Sequence, residues 1–135
     1  MELRRQRTTE RKFQTTPRFK AVYKALLDFC RARLALKTLL EIKGVDSCNT
    51  AANALGAART ATLSKLVKTL LDWNVGYSII SDMTTRLGAA KLTTANIKKI
   101  ARVYAMNIEI HLTRNERIGA DAWRVADVQY AKTLF

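Results

Sequence analysis

The fold is decided most clearly by residues 63–76, which read LSKLVKTLLDWNVG. Leucine and valine recur here at spacings of three and four residues, which is the repeat of one face of an α-helix. Asn74 and Gly76 follow, and both residue types accept the backbone conformations found at a helix end. The stretch therefore predicts a helix that buries one face and stops at a defined turn.

Upstream of this stretch the sequence predicts a long first helix. Thr16 precedes Pro17, the only proline, and this order is typical of an N-cap followed by the first helical residue. Apolar residues then recur at helical spacing until Gly44, about 25 residues on. The second helix is expected to begin near Ser47 or Asn49.

Downstream, glycine and threonine again mark the boundaries. A short third helix is expected over residues 78–87, closed by Gly88. Thr93 or Thr94 is expected to cap a fourth helix, and Asp121 to begin a last one. We therefore expect an all-α bundle of four to five helices, in which a basic arm over residues 1–16 precedes a single helical domain over residues 17–135.

One segment fits two structures. Residues 107–113 alternate apolar and polar side chains, which is also the pattern of a β-strand. A hairpin with residues 123–130 is the alternative to a continuous helix.

The expected core is aliphatic, because aromatic residues make up only 7% of the chain. Gly56 lies within the second helix, where it predicts close approach of a neighbouring helix. The four aromatic residues at apolar-periodic positions are expected to be core rather than base-stacking residues: Trp73, Tyr104, Trp123 and Tyr130. The core is expected to include Leu26, Leu63, Leu66, Leu70, Ile97, Ile100 and Tyr104.

The charge of the chain is strongly one-sided. There are 24 Lys and Arg against 11 Asp and Glu, a net charge of +13. Such an excess repels itself in a compact monomer, and a polyanionic partner relieves the repulsion. Nucleic acid is therefore the expected partner, ahead of an acidic membrane or an acidic protein.

Residues for catalysis are scarce. The single histidine, His111, lies beside an apolar run, and Cys30 and Cys48 lack the spacing of a metal site or a disulfide framework. The five glycines do not cluster into a phosphate-binding loop. We expect no enzymatic activity, no metal and no cofactor, and a reduced, buried thiol at Cys30.

Basic residues are spread over the arm, the first helix and the fourth helix. This distribution neutralises phosphates without selecting a base sequence, because base reading needs polar side chains focused on one element. The candidate nucleic-acid-binding residues are Arg4, Arg5, Arg7, Arg11, Lys12, Arg18, Lys20, Lys24, Arg31, Lys98, Lys99 and Arg102.

The expected function is that of a structural subunit that packs in many copies along a DNA or RNA backbone, in the cytoplasm or a virion, without secretion. A viral coat or nucleocapsid subunit and the small helical subunit of an RNA-guided effector complex would suit this role by analogy alone. The alternative is a helix-turn-helix regulator, with Lys98, Lys99 and Arg102 on its recognition helix. Five residues from Gly88 to Leu92 exceed the usual turn of that motif, and Thr84 stands where a smaller residue would let the helices close.

Overall fold

The computed structural model describes residues 16–42 and 50–115, together with Ile118 and Trp123. This part of the chain contains four helices and no strand, which confirms the all-α expectation for it. Residues 1–15 of the predicted arm lie outside the described residues, whereas its last residue, Thr16, is the N-cap of the first helix. The predicted last helix also lies outside them apart from Trp123, which is helical. The helices are α1 (Pro17–Leu40), α2 (Thr50–Asp72), α3 (Tyr77–Ala89) and α4 (Ile97–Arg114).

The start of α1 is the one that the sequence predicts. The hydroxyl oxygen of Thr16 accepts a hydrogen bond from the backbone N–H of Phe19 at 3.1 Å, and Pro17 is the first helical residue. This bond satisfies one of the amide donors that a helix start leaves without a partner. The helix ends at Leu40, and Gly44 lies outside the described residues.

The end of α2 is a Schellman motif. Asn74 has a left-handed backbone with φ of 65°, and the N–H of Val75 donates to the carbonyl of Leu70 at 2.9 Å. Val75 is buried and thereby holds the chain against the core at this point. The helix begins at Thr50, next to the predicted start.

The end of α3 differs from the prediction. Gly88 does not close the helix, which continues to Ala89. The guanidinium of Arg33 on α1 donates to the carbonyls of Leu87 and Ala90 at 3.0 Å each, and also to the carbonyl of Gly88. A side chain from another helix therefore satisfies the last carbonyls of α3, so the end does not depend on a glycine with a left-handed backbone.

A reciprocal pair of hydrogen bonds leads into α4. The N–H of Asn96 donates to the hydroxyl of Thr93 at 3.2 Å, and the N–H of Thr93 donates to the side-chain oxygen of Asn96 at 2.7 Å. Thr93 thus acts at the entry to the helix as predicted, although the regular helix begins only at Ile97.

Residues 107–113 are helical, so the hairpin alternative is wrong. Asn107, Ile108 and Glu109 are consecutive and all buried, which means that more than one face of α4 is covered. The alternation was misleading because two of its polar residues, Asn107 and Glu109, are buried in the helix as well. The ring of Tyr104 meets that of Trp123 edge to face, with centroids 4.9 Å apart, and both residues belong to the core.

The core lies mainly between α1, α2 and α4. Helix α1 packs along α2 and along α4, with α4 antiparallel to it, since Arg18 near the start of α1 bonds to Glu109 and Thr113 near the end of α4. All the predicted core residues except Leu63 are buried, and Leu63 is half-buried against the core.

Two expectations about α2 and its end are wrong. A Cβ built on Gly56 would meet nothing within 4 Å, so no helix approaches it closely in the described structure. Trp73 is 38% exposed rather than buried, because the chain turns at Asn74 and places it outside the core.

Among the described residues, no helix combines the length and apolar character needed to span a membrane.

Candidate nucleic-acid interface

The helical body itself carries most of the positive charge. Residues 16–42 and 50–115 hold 15 Lys and Arg against five Asp and Glu, a net charge of +10 out of +13. Three of the five acids are already paired with a basic side chain: Asp72 with Lys68 at 2.7 Å, Asp82 with Arg86 at 2.9 Å, and Glu109 with Arg18 at 2.5 Å. The excess therefore remains after these pairs have formed.

Helix α1 presents a row of basic residues to solvent. Lys20, Lys24 and Arg31 are all exposed, and their spacings of four and seven residues place them on one face of the helix. With a rise of 1.5 Å per residue, the row is roughly 16 Å long. Asp28 lies within this row, on the turn between Lys24 and Arg31, and is half-buried. The structure thus aligns three of the predicted binding residues.

Arg18 is engaged inside the protein. Its guanidinium donates to both carboxylate oxygens of Glu109, at 2.5 and 3.2 Å, and to the hydroxyl of Thr113 at 3.2 Å. The carboxylate of Glu109 is almost fully buried, and removing its partner would leave a buried charge uncompensated. Although Arg18 belongs to the predicted set, its contacts are those of a residue that holds α1 to α4.

The basic residues of α4 vary in accessibility. Lys98 is exposed, whereas Lys99 and Arg102 are half-buried. Arg31 of the α1 row lines a shallow groove of about 550 Å³ together with Thr94 and Ile97, next to Lys98 in the chain. The row on α1 therefore ends beside the start of α4.

The first turns of α1 and α4 carry basic residues. No helix of the described structure has an acidic residue in its first turn, where the helix dipole favours one. Lys20 lies there in α1, and Lys98 and Lys99 lie there in α4. Each such cation opposes the dipole by roughly 0.3–1 kcal/mol, and a nearby anion offsets this cost.

Five further basic residues, which are not among the predicted binding residues, are exposed to solvent. In the sequence these residues do not belong to a basic cluster, and only their exposure in the structure distinguishes them: Lys37, Arg59, Lys65, Lys91 and Arg114. Five predicted residues belong to the arm and lie outside the described residues: Arg4, Arg5, Arg7, Arg11 and Lys12.

Other groups that could support chemistry are buried or scattered. Burial raises the pKa of the Cys30 thiol to about 12, against a smaller opposing effect of the Arg33 charge, so Cys30 is a protonated thiol near neutral pH. Burial likewise raises the pKa of Tyr104 to about 12. His111 is half-buried on α4, and Cys48 lies outside the described residues. No group of three or more potential metal ligands occurs in the part of the chain that the structure describes.

The geometry of α3 and α4 departs from a helix-turn-helix. Seven residues, 90–96, separate the two helices, and they do not pack along each other. The motif needs a turn of three or four residues and close packing of its two helices. Thr84 bonds instead to the carbonyl of Ile80 on its own helix, at 2.8 Å.

Comparison with known proteins gives no relationship for this chain: no family model, no curated protein and no solved structure matches it.

Proposed function

We propose that the chain is a nucleic-acid-binding structural subunit that holds the phosphate backbone without reading the base sequence and packs in many copies along it. The observation that carries this proposal is the net charge of +10 on the described helical body, where three of the five acids are already paired. A surface of this kind gains affinity from the counterions that it releases from a polyanion.

The distribution of the charge supports binding without sequence preference. Exposed basic residues lie on α1, α2 and α4, and Lys91 lies on the connection before α4. Contacts spread in this way position a protein on the backbone, whereas sequence reading needs side chains focused in one groove. The separation of α3 from α4 gives no support to a helix-turn-helix regulator.

The arrangement in many copies is supported by apolar surface at the end of α1. Leu40 and Ile42 are 48% and 53% exposed, and Ile42 borders the groove that Arg31 also lines. An apolar surface next to a basic row suits a second copy bound beside the first on the same polyanion. By analogy of role alone, the chain would correspond to a coat or nucleocapsid subunit, or to a small helical subunit of an RNA-guided complex.

The test is a binding series with the full chain on random-sequence single- and double-stranded DNA and RNA. We expect equal affinity for unrelated sequences, cooperative saturation, and regular nucleoprotein particles by negative-stain microscopy. Preference for one duplex operator with a two-fold symmetric dimer would support the regulator instead. Binding to anionic vesicles without binding to any nucleic acid would contradict the proposal.

A further inference from the structure

Two aromatic side chains stand exposed on either side of the turn between α2 and α3. Trp73 is 38% exposed and Tyr77 is 77% exposed, the largest value among the exposed large hydrophobic residues of the described structure. The ring pairs of this part of the chain are Phe19 with Tyr23 and Tyr104 with Trp123, so neither Trp73 nor Tyr77 stacks on another described ring. Large aromatic surface is thus left in contact with water, which costs free energy unless a partner covers it.

The turn holds both residues on a fixed backbone. Between them, Asn74 adopts the left-handed conformation and Val75 is buried, with its N–H bonded to Leu70. On the far side, the N–H of Ile80 donates to the carbonyl of Gly76 at 3.1 Å. Little backbone entropy therefore remains to be lost when a ligand meets the two rings.

The charges near the turn do not repel a polyanion. The two acids closest to it in sequence are Asp72 and Asp82, and both are paired, with Lys68 and Arg86 respectively. These two pairs leave no net charge next to the turn, and the described helical body as a whole carries the net +10 given above. A phosphate backbone that approaches Trp73 and Tyr77 therefore meets a basic side chain beside each of these two carboxylates.

We propose that Trp73 and Tyr77 form a stacking platform for unpaired nucleobases, so that the ligand is single-stranded nucleic acid. This inference rests on the proposed function and names its substrate class. Stacking on aromatic side chains accepts every base, because every base has a π-face, and it is thus compatible with binding without sequence preference. A duplex keeps its bases stacked on one another and offers no face to the platform.

The test uses the full chain and three ligands of about 20 nucleotides at equal salt: oligo-dT or oligo-U, an abasic strand with the same phosphates, and a duplex. Tyr77→Ala should weaken binding to oligo-dT and oligo-U by roughly five- to 150-fold, and Trp73→Ala by a similar factor. Binding to the abasic strand and to the duplex should change less than about twofold. Tyr77→Phe keeps the ring and should bind normally, as should Thr85→Ala, which shortens an exposed side chain on α3 that has no part in the proposed platform.

Tryptophan fluorescence gives a second measurement that needs no substitution. Trp123 is buried, so quenching by added strands reports mainly on Trp73. Quenching by oligo-dT but not by the abasic strand supports the platform. Equal affinity of the wild-type chain for both strands, with no effect of Tyr77→Ala, overturns the platform but leaves backbone binding standing. Absence of binding to all three ligands at low salt overturns both proposals.

Discussion

Arg18, near the start of α1, bonds through two guanidinium nitrogens to the buried carboxylate of Glu109, 91 residues later on α4. The pair closes one end of the helical body and explains why an acidic residue is tolerated at a position that is 1% exposed. It also removes one residue from the basic surface that the sequence suggests.

Breaking this pair should destabilise the fold. Arg18→Ala leaves the carboxylate of Glu109 buried without its partner, and we expect a loss of about 2–4 kcal/mol in the free energy of unfolding, because the Arg18 side chain is partly exposed. Urea denaturation measures the loss. The double variant Arg18→Met/Glu109→Met should recover most of it, since it leaves no buried charge. An Arg18→Ala cost below about 0.5 kcal/mol would show that the pair contributes little.

Core substitutions should be costly in proportion to burial. Leu66 is fully buried and Ile100 is 4% exposed, so alanine at either position should lower the free energy of unfolding by about 2–5 kcal/mol. Leu40→Ala is the matched control, because Leu40 is 48% exposed, and its effect should stay within about 0.5 kcal/mol. Similar losses at Leu66 and Leu40 would contradict the packing described here.

The three hydrogen bonds that Arg33 donates to carbonyls at the end of α3 should require an arginine side chain. A lysine at this position has one ammonium group and cannot reach three carbonyls in the same geometry, so Arg33→Lys should cost about 1–3 kcal/mol. Hydrogen exchange should show faster opening of amides in the last turn of α3. Lys37→Arg on the same helix is a control, because Lys37 is exposed and should tolerate the change. If hydrogen exchange in the last turn of α3 is unchanged in Arg33→Lys, Arg33 does not stabilise the end of this helix.

Stability should fall at alkaline pH because of Cys30. Its pKa is 9.0 as a free group and about 12 in the fold, so the unfolded chain loses this proton first. The contribution is fully present below pH 9 and is lost as pH rises toward 12, at up to roughly 1.4 kcal/mol per pH unit. Tyr104 adds to the same trend above pH 10. Chemical denaturation across this range measures the slope, and Cys30→Ala should make it shallower between pH 9 and 10. In a Cys48→Ser chain, rapid thiol labelling of Cys30 at pH 8 would contradict its burial.

The salt dependence of binding should depend on the arm and on the α1 row. Each phosphate contact contributes about −0.9 to the slope of log affinity against log salt on duplex DNA and about −0.7 on single strands. Alanine at Lys20, Lys24 and Arg31 should therefore flatten the slope by about 2–3 units, and deletion of residues 1–15, which keeps the Thr16 cap, by several units. Alanine at Lys98, Lys99 and Arg102 should have a smaller effect.

The matched control for these changes is Lys68→Ala/Asp72→Ala, which removes an exposed ion pair and keeps the net charge. It should leave the slope within about half a unit. If alanine at Lys98, Lys99 and Arg102 weakens binding most and removes discrimination between base sequences, the helix-turn-helix regulator is favoured instead. Unchanged affinity and slope after deletion of the arm would contradict the attachment model.

The sequence by itself determined the helices and several of their ends. Thr16 and Pro17 open α1, Asn74 ends α2 and Thr93 leads into α4, because caps and turns depend on residues a few positions apart. The repeat of three and four residues also identified most of the core. The charge excess on which the proposed nucleic-acid binding rests is likewise a property of composition.

Tertiary structure alone decided the points that depend on distant residues. Glu109 is buried because Arg18 pairs with it across 91 positions, and Arg33 completes the end of α3 from another helix. The exposure of Trp73 depends on the direction of the turn at Asn74, and no local pattern shows which residues that turn leaves outside the core. Periodicity reports which face of a helix is apolar, whereas the partner of a charged side chain and the covering of an aromatic ring are set by contacts between elements far apart in the chain.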